Sequence, residues 1–118
     1  MAATPQDVER IEAELKECRE VLCALGDETR QHIICTMLEV ERPGLRAVEV
    51  AELACLSRPT VSHHLQVLKR AGVVRARKEG SCIYYYLDPD QRAIGRLYEL
   101  ARDIGRVTAR GQGTPHTT

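Results

Sequence analysis

Residues 56–74, LSRPTVSHHLQVLKRAGVV, leave few folds open to this chain. Val61, Leu65 and Leu68 recur at i, i+4 and i+7, which makes them one apolar stripe of a helix. Ser57 is suited to cap that helix, Pro59 to sit in its first turn, and Ala71-Gly72 to end it. At about 100° per residue, the side opposite the stripe carries Pro59, His63, Gln66 and Arg70, flanked by Ser62 and Lys69. Just upstream, Ala47–Ala54 reads as a short helix joined to the first through Leu56-Ser57. Two short helices joined by a tight turn, the second polar and cationic on its outer side, make a helix-turn-helix. Downstream, 73–78 and 81–87 read as strands separated by Glu79-Gly80, a hairpin turn signal. The run Tyr84-Tyr85-Tyr86 suits a pleated, half-buried surface.

The remaining segments are helical. Thr4-Pro5 opens a first helix whose apolar residues, Val8, Ile11, Leu15, Cys18, Leu22 and Leu25, alternate steps of three and four. That heptad seam packs against another helix. Gly26-Asp27 breaks the chain and caps a second helix over 28–41, with Ile33, Ile34, Met37 and Leu38 inward. On the third helix, Val48, Ala51 and Leu53 are expected to face the core. After Asp88-Pro89 a last helix runs to about Thr108, with Ile94, Leu97, Tyr98, Ala101 and Ile104 on one face. The expected architecture is mainly α with a small β-hairpin: one domain over 1–109 and a polar, disordered tail over 110–118. No apolar run approaches the roughly 20 residues that span a membrane, and the N-terminus lacks a signal peptide's basic start and apolar core. A cytoplasmic protein without membrane contact is expected.

Net charge is zero over 118 residues, but the charge is not spread evenly. From Leu53 to Lys78 there is no Asp or Glu, while Arg58, Lys69, Arg70, Arg75, Arg77 and Lys78 are cationic. A local basic footprint beside a helix-turn-helix points to double-stranded DNA. Gln66 can pair with adenine and Arg58 with guanine or phosphate. Ser57, Thr60 and Ser62 can reach phosphates or bases. Arg75, Arg77 and Lys78 on the hairpin would add backbone contacts that carry no sequence choice. An ordinary solvated helix does not account for the clustered charge, the tight turn and the hairpin together. His63 and His64 point about 100° apart and cannot ligate one ion. No nucleophile with a base partner, phosphate-binding glycine loop or paired carboxylates suggests an enzyme. A winged helix used for protein interaction, or a regulator with no metal or thiol inducer, is the alternative.

These motifs resemble the ArsR/SmtB repressors, small dimeric winged-helix proteins. The resemblance covers roughly 22–100 and rests on LCALGDETRQHII, VAELACLSRPTVSHHLQVLKRAGVV and ARKEGSCIYYYL. It implies a homodimer formed by the first and last helices, through Val8, Ile11, Leu15, Cys18, Leu22, Leu97, Tyr98, Ala101 and Ile104. It further implies repression relieved by an inducer, and DNA reading by Ser57, Arg58, Thr60, Ser62, His63 and Gln66.

The inducer is not legible. Where many family members carry third-helix cysteines, this chain has GLRAVEV, and its last helix has no histidine. Five cysteines without CxxC spacing give neither a disulfide framework nor a structural zinc site. Cys35 resembles a persulfide-sensing cysteine, but its last-helix partner is missing. Cys18, Cys23 and Cys35 remain the candidate soft-metal or thiol sensors, with Cys18 placed in the seam within reach of a partner copy. Thiolates there would suit arsenite, cadmium or another soft ion, or oxidation. Packing is the simpler role for each cysteine, Cys55 in the turn included; Cys82 is expected exposed on the wing, and His32 merely solvated.

Overall fold

The computed structural model describes residues 3–112. In chain order it contains α1 (Pro5–Glu17), α2 (Arg19–Leu25), α3 (Glu28–Leu38), α4 (Ala47–Ala54), α5 (Arg58–Arg70), β1 (Val74–Glu79), β2 (Cys82–Leu87) and α6 (Arg92–Gln112). The expected first helix is thus two, breaking at Cys18, whose ψ of 0° departs from helical geometry. The second ends at Leu38 rather than 41. The last helix continues to Gln112, past the expected Thr108 and into the segment expected to be disordered; the rest of that tail lies outside the described residues.

The starts of α1 and α3 have a chemical cause. Thr4 Oγ1 accepts from the Asp7 amide at 3.1 Å while Asp7 Oδ2 accepts from the Thr4 amide at 3.0 Å, a reciprocal cap on α1. Asp27 Oδ2 accepts from the Arg30 amide at 3.0 Å and starts α3. The core gathers around Ile33, Val50, Val61, Leu65, Leu68 and Val74, with Cys18, Val21 and Ala24 from the first two helices. Three expected core residues are outside it: Leu38 and Leu53 are exposed and Val48 is half-buried, and Val50 and Ala54 are buried on α4 instead.

β1 and β2 form one antiparallel hairpin in which Val74 pairs with Leu87 and Glu79 with Cys82. Gly80 takes φ +60°, a conformation that favours glycine, and turns the chain. Leu45 adds a short third rung: its amide donates to Tyr85 O at 2.9 Å and its carbonyl accepts from the Tyr85 amide at 2.8 Å. The molecule measures 57 × 31 × 24 Å with a radius of gyration of 18.0 Å, against about 13 Å for a compact domain of this length. The elongation comes from α1 and α6, which pack on each other and extend as an arm from the head made by α2–α5 and the hairpin.

Candidate nucleic-acid interface

The turn between α4 and α5 is tight because Cys55 adopts the left-handed conformation, φ +58° and ψ +44°. Its amide and that of Leu56 both return to α4, Leu56 N–H reaching Ala51 O at 3.0 Å. His32 closes the same helix end: its Nε2 lies 2.8 Å from Ala54 O. A carbonyl only accepts, so Nε2 carries the hydrogen. His32 is therefore hydrogen-bonded to the turn, where the sequence led us to expect it merely solvated. Ser57 then caps α5, accepting from the Thr60 amide at 3.3 Å and donating from Oγ to Thr60 Oγ1 at 2.7 Å.

On α5, Val61, Leu65 and Leu68 are fully buried and Val67 partly so. Ser57, Arg58, Ser62, His63, Gln66, Lys69 and Arg70 are exposed, and Thr60 is half-buried. Gln66 Nε2 approaches the buried Tyr85 hydroxyl of the wing at 3.4 Å, a long contact that leaves the amide oxygen free. His64 turns inward: its Nδ1 is 3.1 Å from Arg30 Nη1 on α3, and its ring meets that of His63 edge-on at 5.1 Å. Burial pushes the His64 pKa down, with the Arg30 and His63 charges adding to that and Asp27 opposing it. Arg30 Nη1 donating to Nδ1 requires the same neutral ring. Nothing in the sequence marked Arg30 or Tyr85 as neighbours of the reading helix; only the fold brings them there.

The hairpin cations are less free than their run in the sequence suggests. Arg75 lies 3.1 Å from Asp90 and 3.5 Å from Asp88, and 5.9 Å over the Tyr86 ring. Arg77 lies 3.5 Å from Glu79, donates to Pro43 O at 3.1 Å and sits 5.2 Å over Tyr84. Lys78 is exposed near the turn. A cleft of about 460 Å³ between the end of α5, the base of the wing and the start of α6 joins Lys69 and Arg75 to Arg92 and Arg96, two cations the sequence did not single out. The helix between that cleft and Ser57 is 13 residues, about 20 Å long. The basic residues therefore gather at the C-terminal end of α5, with Arg58 at the other end of the helix.

The heptad seam divides in two. Ile11 and Leu25 are partly buried and Cys18 is 1% exposed within its own protomer, whereas Val8, Leu15 and Leu22 remain open. On α6, Ile94, Tyr98 and Ile104 are exposed, with Ala101 exposed between them and Leu97 half-buried. Cys18 consequently does not lie on the open row where a second chain could meet it. Burial, first among its influences, pushes its thiol pKa up and keeps it neutral. Cys23, Cys35 and Cys55 are exposed and Cys82 is half-buried, short of the exposure expected on the wing. Among the described residues, no three His, Cys, Asp or Glu side chains are grouped to hold a metal ion. None of the described helices is long and apolar enough to cross a membrane.

A helix-turn-helix followed by a hairpin wing, with a polar, cationic recognition helix, defines a winged-helix DNA-binding regulator. Residues 27–76 match the bacterial regulatory protein family arsR. The chain is 42% identical over 91 residues to a cadmium resistance regulatory protein CadC homolog of Staphylococcus aureus, covering 75% of this chain and 73% of that protein. It is 37% identical over 76 residues to an uncharacterized HTH-type transcriptional regulator of Methanocaldococcus jannaschii, covering 64% and 83%. Among solved structures, the homodimeric winged helix-turn-helix domain of a possible ArsR-family regulator from Mycobacterium bovis superposes with a TM-score of 0.60 at 28% identity, covering 98% of this chain and all of that one. The chain belongs to the ArsR family of DNA-binding transcriptional regulators, a family of regulators and not of enzymes.

Proposed function

We propose that the chain acts in the cytoplasm as a homodimer that binds operator DNA sequence-specifically and represses transcription until an inducer releases it. The observation that carries this reading is the exposed face of α5. Arg58, Ser62 and His63 in its N-terminal half and Gln66 beyond its middle are exposed while the opposite stripe is fully buried. Such a helix presents its first turns to base edges in the major groove. Arg58 and Gln66 are the base readers, with Ser57, Thr60, Ser62 and His63 at phosphates or bases. Lys69, Arg70, Arg75, Arg77 and Lys78 contribute charge, Lys78 most directly because the other two wing cations are shared with carboxylates.

The dimer reading is supported by the arm. Val8, Leu15, Leu22, Ile94, Tyr98 and Ile104 leave apolar surface uncovered on α1, α2 and α6, and the M. bovis structure is homodimeric. Ile11, Cys18, Leu97 and Ala101 support this surface from beneath or between. A dimer would set two recognition helices about one DNA turn apart, roughly 34 Å. Fluorescence anisotropy on a duplex recovered from a random pool tests the reading. Tight, salt-sensitive binding by two chains per duplex is expected, and equal affinity for any duplex contradicts it.

A soft-metal or thiol-reactive inducer is supported by the likeness to the cadmium-resistance regulator and by the exposure of Cys23 and Cys35. Cys18, buried and neutral, takes part only if the arm opens. Titrating cadmium or arsenite into the complex tests this. Release lost in Cys23→Ser or Cys35→Ser supports it, and a complex unmoved by either ion leaves oxidation or an inducer that uses no cysteine.

A further inference from the structure

Arg30 makes three side-chain bonds that together join three helices. Its Nε donates to Ala24 O at 2.8 Å and its Nη2 to Cys23 O at 3.1 Å, both at the carbonyl end of α2. Its Nη1 donates to His64 Nδ1 at 3.1 Å, on the recognition helix. A planar guanidinium directs these donors along fixed lines, so the position of α5 is set relative to α2 by one side chain. From the same helix, His32 holds the turn through Ala54 O at 2.8 Å. α2 follows α1 at Cys18, and Leu22 on it belongs to the open apolar row. The clamp is thus a direct polar link between α2, which follows the arm helix α1, and the DNA-reading helix.

We propose that Arg30 and His64 are positioning residues for operator recognition, forming a proton-sensitive clamp that holds α5 in its reading orientation only while the His64 ring is neutral. The inference rests on the DNA-binding reading given above. A protonated ring has no lone pair for Arg30 Nη1 and sets a second cation against the guanidinium. The charged and titratable groups facing His64 are Arg30 and Asp27 from α3 and His63 from α5 itself. α2 offers only the carbonyls of Cys23 and Ala24, both already bonded to Arg30. Among the described residues Asp27 is the counter-charge that acts on the ring, and its Oδ2 is engaged in capping α3. Charging the ring therefore breaks the clamp rather than remaking it.

The test uses the full-length protein with His63 kept, and every pH response is read against that of His64→Asn, which shares His63 and so cancels its contribution. Affinity for the selected duplex is compared with a scrambled one between about pH 8 and about pH 5.5, on either side of the ordinary histidine pKa. Specific affinity is expected to fall by about tenfold toward the lower pH, with the scrambled duplex little changed. His64→Asn keeps an acceptor near the place of Nδ1 but cannot charge, so the tenfold loss seen in the parent should be absent from it. Arg30→Lys should abolish the difference as well, by removing the fork. An unchanged pH ratio in His64→Asn, or affinity that rises on acidification, overturns the clamp and leaves DNA binding standing. Failure to recover any preferred duplex at the higher pH overturns the DNA reading, and the clamp with it.

Discussion

Cys55 shows what one backbone angle demands. Its φ of +58° is a conformation L-residues adopt at a cost of about 1–2 kcal/mol, partly offset here by its returned hydrogen bonds. Cys55→Gly should therefore raise stability by up to about 1 kcal/mol, after the glycine's larger unfolded-state entropy is deducted. Urea unfolding measures it, and a loss of stability would contradict the strain. The cysteine's place in the turn was legible from sequence, but its dihedral was not. Gln66 belongs to the same scale. With its amide oxygen free, Gln66→Ala should cost about 1–3 kcal/mol at the preferred site and relax base choice there. Equal losses on preferred and scrambled DNA would remove Gln66 from base reading.

At the scale of elements, α1 and α6 are joined by charge as much as by packing. Asp7, with its side chain only 9% exposed, faces Arg10 at 3.2 Å and Arg110 at 2.7 Å; Asp103 faces Arg10 and Arg106. The Thr4 amide, then its hydroxyl and the Arg110 charge, hold the Asp7 pKa at about 2. That stabilisation is complete above its ordinary 3.8 and is lost as pH falls toward 2. Glu14 runs the other way. Burial and the neighbouring Asp103 carboxylate raise its pKa, and its Oε1 is buried with no hydrogen-bond partner. Folding favours the protonated acid, so the stability it gives is complete below its ordinary 4.5 and lost as pH rises through the raised value. Glu14→Gln should remove that loss, adding roughly 1 kcal/mol near neutral pH and flattening the profile above 4.5. An unchanged profile would show that Glu14 ionises freely. Element identity was legible because caps, stripes and turn residues agree locally. Facing was harder: the second half of α3, 33–38, is apolar at every position but Thr36, so its spacing could not separate buried Met37 from exposed Leu38. The acid-free run also misled, since Asp88 and Asp90 fold back onto Arg75 from beyond it.

At the scale of the whole molecule, the division of the seam matters most. One row of the heptad packs inward with Cys18, and the other, Val8, Leu15 and Leu22, stays open beside Ile94, Tyr98 and Ile104. A charge in that row should oppose association while leaving the head folded. Leu15→Asp is expected to sediment as a monomer and to bind DNA weakly; a dimer that persists would place the interface elsewhere. The central claim, that this surface reads DNA as a pair, is tested most directly by measuring affinity against salt for a selected and a scrambled duplex. Several phosphate contacts from two chains predict a steep loss, about 10³-fold or more between roughly 50 and 200 mM salt, with the selected duplex preferred throughout. A shallow slope with no preference between the two duplexes would contradict it.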